Sequence, residues 1–288
     1  MAGIEKVAVI GGGTMGSGIA QVVATSGLEV VLVDVAPQAL ERAQAKIAKS
    51  LDRSVEAGRI EAGAAAAAKA RLTTSTSLEE AAAGADHVIE TVYEDAEVKQ
   101  DVLRRLDAVC REEVIFASNT SQFSISRLAA ATRRPDRVIG SHWFNPPPRM
   151  QLIEVVRGLQ TSDATLATTL ELAERYGKRT VVCRKDTPGF ITSRLIVTLA
   201  LEAARIVDEG VADVEDVNLA CQLAFNHAMG PLDTIDFSGL DVTLNVADAM
   251  TTSYGERFLA PQNLRALVSA DQLGRKTGRG FRDYGAEG

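Results

Sequence analysis

Three groups of residues in this sequence have the types and spacing to do chemistry. The first is Gly11-Gly12-Gly13-Thr14-Met15-Gly16, which fits the pattern G-x-G-x-x-G and has Gly18 just beyond it. Such a run is weak evidence alone. Here it follows the β-branched, apolar Val7–Ile10, leads into a helical pattern over Ser17–Ser26, and precedes Asp34 at the end of a second strand-like run, Val30–Asp34. In that context each glycine has a task. Gly11 permits a tight turn, Gly13 lets backbone approach a diphosphate, and Gly16 lets helix and strand pack closely. Thr14 and Met15 belong to the helix start, whose unpaired N–H groups and positive dipole end would face the diphosphate. Asp34 is placed to accept hydrogen bonds from ribose hydroxyls. A carboxylate there repels a 2′-phosphate and no arginine follows it directly, so the pattern points to NAD rather than NADP.

The second group is a pair. His142 ends the strand-like run beginning at Val138, and the proline-rich Asn145-Pro146-Pro147-Pro148 precedes another strand-like run, Leu152–Val156. If the two runs fold back about Pro148, His142 faces Glu154. An acid opposite an imidazole holds one ring nitrogen protonated and leaves the other as a base. Spacing alone leaves open a satisfied core histidine and a solvated glutamate. The third group is Ser118-Asn119-Thr120-Ser121, directly after the strand-like Val114–Ala117, where ligands sit in a doubly wound sheet. Small polar groups there can hydrogen-bond a nicotinamide or a substrate hydroxyl, and they can equally cap the following helix. Glu94 and Lys99, after Ile89-Glu90-Thr91, read from spacing alone as an exposed helix N-terminus.

Positioning these groups requires a parallel sheet. Strand-like runs at Val7–Ile10, Val30–Asp34, His87–Glu90, Val114–Ser118, Val138–Gly140, Leu152–Val156 and Thr180–Arg184 alternate with helical patterns, including Glu97–Cys110 and Ser124–Ala131. Pro37 to about Ala70 reads as one long polar helical excursion, a solvent-facing arm. After Asp186-Thr187-Pro188-Gly189 the pattern turns all helical: Phe190–Glu209, Val214–Leu223, Leu240–Tyr254 and Pro261–Asp271, with Gly210 and Gly274 as C-caps. The expected fold is therefore α/β, a Rossmann-type doubly wound sheet followed by an all-α C-terminal domain. The expected domains are residues 1–185, binding NAD, and 186–288, helical.

Composition narrows the partners. A formal net charge of -7 repels phosphodiester backbones, so nucleic acid is not expected, and an anionic ligand must meet a local positive site. Cys110, Cys183 and Cys221 are too few and too scattered for a disulfide framework or a zinc site, and no metal is expected. Ile4–Ile10 lacks a cationic flank and no apolar run approaches a membrane span, so the expected compartment is the cytoplasm.

Taken together, the loop Gly11–Gly18, Glu90–Lys99, Ser118–Ser121, His142-Trp143-Phe144-Asn145-Pro146, Asp186–Phe190, Met229-Gly230-Pro231 and Lys276–Phe281 resemble the 3-hydroxyacyl-CoA dehydrogenase family, particularly its small bacterial 3-hydroxybutyryl-CoA members. The likeness covers nearly the whole chain. It implies that His142 is the catalytic base, Glu154 its orienting partner, and Ser121 a hydrogen-bond donor to the substrate oxygen. It implies cofactor contacts at Glu94, Lys99, Asn119 and Asn145 beside the glycine loop, a short-chain acyl-CoA substrate, and a homodimer, with residues 186–288 as the substrate and dimerisation domain. Two departures stand out. Ser193, before Arg194, occupies the place where the family usually has an Asn that helps hold the substrate carbonyl, and a serine hydroxyl donates from a shorter reach. The family's lysines around Asp52–Gly58 are replaced by Arg53, Ser54 and Glu56, with Arg59 beyond, leaving Lys49, Arg53 and Arg59 as carrier-phosphate contacts. The alternatives are a substrate on an acyl carrier protein, a free hydroxy acid, or a non-catalytic, crystallin-like NAD-binding protein. Intact Ser121, His142 and Glu154 weigh against the last.

Overall fold

The computed structural model describes residues 3–285, and its contacts divide the chain into two units, Met1–Thr187 and Pro188–Gly288. The first runs β1 (Lys6–Ile10), α1 (Thr14–Thr25), β2 (Glu29–Val33), α2 (Pro37–Glu56), α3 (Ala62–Arg71), β3 (Leu72–Ser75), α4 (Leu78–Ala83), β4 (His87–Glu90), α5 (Ala96–Val109), β5 (Ile115–Ser118), α6 (Ile125–Ala129), β6 (Val138–Trp143), β7 (Leu152–Arg157), α7 (Asp163–Arg175) and β8 (Arg179–Cys183). Among the described residues these strands make one eight-stranded sheet in the order β3-β2-β1-β4-β5-β6-β7-β8. Its first six positions follow the doubly wound order, so the chain reverses its direction of travel between β1 and β4. All pairings are parallel except β6 with β7.

The central strands are apolar along their length because helices cover both faces of a parallel sheet. Val7, Val9, Val30, Leu32, Ile89 and Ile139 are buried in one cluster with Ile19 and Val23 of α1. The same cluster takes in Leu40, Ala43, Ile47 and Leu51 of α2, with Ala65 and Ala68 of α3. This corrects the expectation of a single solvent-facing arm. The excursion is two helices, broken around Gly58 at positive φ, and the face of α2 with helical spacing packs back onto the core through α1 and α3.

Several elements have no counterpart in the expected pattern. β3 is an edge strand of sequence Leu-Thr-Thr-Ser, half-exposed and polar, and it carries little of the apolar signal of a buried strand. The short α4 and the longer α7 were likewise unmarked. Both begin with a serine N-cap, Ser77 and Ser162, whose side chains accept from Glu80 N and Thr165 N.

The second unit is helical: α8 (Thr192–Asp208), α9 (Val214–Phe225), α10 (Pro231–Ser238), α11 (Leu240–Tyr254) and α12 (Gln262–Ser269). Its core joins Val197, Ala200, Leu201 and Ala204 of α8 to Leu232, Ile235, Ala247 and Met250. Asn218 of α9 accepts from Leu232 N at 3.0 Å and donates to Asp233 at 3.0 Å, satisfying the start of α10. Asp236 holds the tail through Phe281 N, Arg282 N and the Tyr284 hydroxyl. Burial pushes its carboxyl above the usual range despite those three donors.

Gly210 ends α8 at φ +69, as a C-cap glycine should. Gly274 does not cap α12. Asp271, at φ +58, takes the left-handed position after that helix. Gly274 is glycine because a Cβ there would lie 2.2 Å from Asp236 O. Among the described residues no helix is long and apolar enough to cross a membrane.

If α2 belongs to the core, Leu51→Ala should destabilise the protein by roughly 2–5 kcal/mol, since Leu51 is 1% exposed. Urea unfolding followed by circular dichroism measures this, and a loss below about 0.5 kcal/mol would return α2 to the status of a loose arm.

Candidate active site

The carboxyl ends of β1, β2, β4, β5 and β6 supply the site. After β1 the chain turns at Gly11, whose φ of +111 and N–H bond to Val33 O at 2.7 Å bind the turn to β2. A Cβ on Gly11 would sit 2.6 Å from Thr91 O, and one on Gly16 would sit 1.8 Å from Gly11 O. These two glycines are thus required by packing. Gly13 differs: a Cβ there would meet nothing within 4 Å, and the residue is exposed. It is also the N-cap of α1, with no side-chain cap bond and no acidic residue in the first turn, so the amides of Thr14 and Met15 lack the usual intrahelical and side-chain acceptors. The result is a bare, positively polarised helix start beside open space, which fits a dinucleotide diphosphate.

Asp34, half-buried just past β2, uses its carboxylate first to hold the loop. Oδ2 accepts from Gly12 N at 2.7 Å and Oδ1 from Ala36 N at 2.9 Å. Each oxygen retains a further lone pair, so acceptance from ribose hydroxyls remains compatible with this arrangement.

β6 and β7 pair antiparallel with His142 directly opposite Glu154. The His142 Nδ1 to Glu154 Oε2 distance is 2.9 Å, and Glu154 is 0% and His142 7% exposed. An ionised carboxylate only accepts, so this contact assigns the proton to Nδ1 and makes Nε2 the basic nitrogen. The Phe144 ring lies 4.6 Å from the imidazole, tilted against it.

The ends of β4 and β5 carry a charged network. Glu90, the fully buried last residue of β4, accepts from Lys99 Nζ and Val92 N, both at 2.8 Å, and from the Ser118 hydroxyl at 2.5 Å. Lys99 Nζ also lies 3.1 Å from Glu94 Oε2. Glu94 Oε1 accepts from the Thr120 hydroxyl at 2.6 Å and from Ser121 N at 2.9 Å, with the Ser121 hydroxyl at 3.4 Å. Lys99 is 1% exposed, which corrects the reading of an exposed helix start. Asp95 fills that role, accepting from Glu97 N and Val98 N. Burial alone would lower the lysine's pKa, but attraction to Glu90 and Glu94 outweighs it and holds the pKa above the ordinary value.

The Ser118–Ser121 run therefore serves several ends at once. Ser118 is a buried partner of Glu90. Thr120 makes the turn, its hydroxyl accepting from Phe123 N at 3.0 Å. Asn119 Oδ1 accepts from Trp143 N at 2.9 Å, tying this cluster to the strand of His142. Asn145 is exposed in the loop after β6. Ser193 lies in the first turn of α8, in the second unit. Sequence reasoning left Glu90 out of the site; its signal was a carboxylate ending a strand otherwise apolar and central.

A second feature was only partly foreseen. A cleft of about 770 Å³ opens between α2, the second half of α1, and the loops at Pro148–Gln151 and Arg175–Lys178. Lys46, Lys49, Arg53 and Arg59 line one side and Arg149, Arg175 and Lys178 the other, with no acidic residue among the lining groups. Lys49, Arg53 and Arg59 were expected; their partners lie about a hundred residues further along the chain. Among the described residues no group of three or more His, Cys, Asp and Glu is arranged to hold a metal ion.

Comparison with known proteins gives the following. Residues 6–187 match the family model described as 3-hydroxyacyl-CoA dehydrogenase, NAD binding domain, and residues 189–284 match 3-hydroxyacyl-CoA dehydrogenase, C-terminal domain. A probable 3-hydroxybutyryl-CoA dehydrogenase from Bacillus subtilis is 42% identical over 282 residues, covering 98% of each chain. The human mitochondrial hydroxyacyl-coenzyme A dehydrogenase is 39% identical, covering 98% of this chain and 91% of the relative. The crystal structure of (S)-3-hydroxybutyryl-CoA dehydrogenase from Ralstonia eutropha superposes with a TM-score of 0.95 at 40% identity, covering 98% of this chain and all of that one.

Because a methyl group on residue 16 would collide with the Gly11 carbonyl, Gly16→Ala should weaken NAD binding at least about tenfold. Titration of NADH fluorescence measures it. Unchanged affinity would show that the loop tolerates displacement and that its close packing is not what shapes the site.

Proposed function

The chain belongs to the 3-hydroxyacyl-CoA dehydrogenase family, and on that premise we propose that it interconverts short-chain 3-hydroxyacyl-CoA and 3-ketoacyl-CoA, with His142 as general acid/base oriented by Glu154. The observation that carries this reading is the buried 2.9 Å contact between His142 Nδ1 and Glu154 Oε2 on directly opposed positions of β6 and β7. It gives the imidazole one protonated and one basic nitrogen.

Bound NAD supplies the hydride acceptor, and the Gly11–Gly16 loop, Asp34, Glu94, Lys99, Asn119 and Asn145 are the residues that would hold it. In the oxidative direction His142 Nε2 takes the proton of the 3-hydroxyl as the C3–H bond breaks and the C3–O bond becomes a carbonyl. Glu154 stabilises the imidazolium that forms. The Ser121 hydroxyl donates to the same substrate oxygen while its charge develops. In the reductive direction protonated His142 returns the proton to the keto oxygen, so one group serves both. Ser193 offers a single hydrogen bond to the thioester carbonyl where an Asn would offer a longer reach.

The basic cleft supports coenzyme A as the carrier. Its seven cationic residues and absence of acidic lining, in a chain of net charge -7, form a local positive site suited to nucleotide phosphates. The reading also includes a cytoplasmic homodimer associating through the second unit. Its α9 exposes Leu219, Leu223 and Phe225, which supports an apolar contact there.

NADH absorbance with acetoacetyl-CoA, acetoacetate or an acetoacetyl carrier protein as acceptor tests the substrate. Rapid oxidation with the CoA thioester only is the expected result; turnover with the free acid or the carrier protein alone overturns it. In the same assay His142→Gln should cut kcat at least about a hundredfold without changing NAD affinity. Turnover retained in that variant would remove His142 from the chemistry.

A further inference from the structure

Burying charge is costly, and a buried ion pair can often be exchanged for apolar side chains with no loss of stability. Glu90 and Lys99 are 0% and 1% exposed. Their burial as a pair at the carboxyl edge of β4 is therefore weak evidence of a purely stabilising role.

The contacts supply another. Glu90 divides its two oxygens between the segment that follows β4 and the end of β5. Oε1 takes Lys99 Nζ and Val92 N, fixing the segment after β4; Oε2 takes the Ser118 hydroxyl, fixing the end of β5. Lys99 passes the constraint on by holding Glu94 Oε2 at 3.1 Å. The other oxygen of Glu94 receives Ser121 N at 2.9 Å, while the Ser121 hydroxyl stands off at 3.4 Å. The backbone of Ser121 is thus anchored firmly, and its hydroxyl is held only loosely by the same carboxylate. That suits a donor which must be placed in advance and then turn toward another oxygen.

We propose that Glu90 is a positioning residue, acting through Lys99 and Glu94 on one side and Ser118 on the other to place the Ser121 hydroxyl for the reaction. The inference rests on the reading of Ser121 as the donor to the substrate oxygen. It assigns to Glu90 no contact with substrate or cofactor. Misplacing a reacting group by about 1 Å can cost on the order of a hundredfold in rate, so a residue three contacts away can govern kcat.

A double-mutant cycle tests it, reading kcat and KM for acetoacetyl-CoA at saturating NADH. Glu90→Gln should lower kcat about tenfold with KM nearly unchanged, because the donor acts in the transition state. In a Ser121→Ala background the same substitution should cost less than about twofold, since the group it positions is gone. Ser118→Ala, which removes a hydrogen bond to Glu90 and leaves every charge in place, should couple to Ser121→Ala in the same sense and serves if Glu90→Gln does not fold. A purely structural role would lower the melting temperature and give losses that multiply independently of residue 121. That additive outcome, with Ser121→Ala itself impaired, overturns the positioning role alone. Full activity in Ser121→Ala overturns the reading of Ser121 and the positioning role with it.

Discussion

One antiparallel ladder in an otherwise parallel sheet decides what the site can be. In β6 and β7 the residues lie directly across from one another, so side chains at paired positions meet face to face. The reversal returns the chain from the sheet's carboxyl edge and delivers Glu154 to His142 at that edge. β8 then covers the far side of β7, with Val181 paired beside Glu154. The carboxylate is fully withdrawn from water, and the imidazole opposite it is the hydrogen-bond donor that the ladder brings within reach. Were β7 to slip by one residue, Glu154 would point through the other face of the sheet.

The same economy of partners governs the neighbouring strands. Lys99 keeps its charge in a dry place because two carboxylates face it, and each of those carboxylates also accepts from backbone N–H groups of the adjoining loops. Electrostatic satisfaction and loop geometry are therefore one requirement. Asn119 extends it to β6 through Trp143 N, so the polar run after β5 and the strand bearing His142 cannot move independently. At the other end of the site, Asp34 ties the glycine turn to the β2–α2 connection by the same device, a carboxylate shared between two backbone amides.

What was legible in the sequence is what depends on near neighbours. The glycine turn, its flanking strand and helix, and Asp34 lie within thirty residues and follow from backbone sterics. The opposition of His142 and Glu154 could be counted because a short connection joins their strands. Lys99 was misread because its burial depends on Glu90 and on loops brought in by β5, which helical spacing around Lys99 does not reveal. β3 escaped notice because an edge strand of Leu-Thr-Thr-Ser has no apolar period. The basic cleft was half visible: α2 supplied its cations locally, and the rest arrive from loops near residues 149 and 175. Gly274 was read as a helix cap although its constraint is a close approach to Asp236 O.

Helix α2 carries two kinds of residue on adjoining sides. Leu40, Ala43, Ile47 and Leu51 lock into the core, while Lys46, Lys49 and Arg53 look onto the cleft. The two sets answer to separate pressures. An apolar position on this helix is held in place by volume, and few exchanges there are silent; a cationic one is held only by what the cleft must greet. An exchange among Lys46, Lys49 and Arg53 would therefore change the charge that the cleft presents while the packed face of the helix, and the scaffold beneath it, stayed as they are.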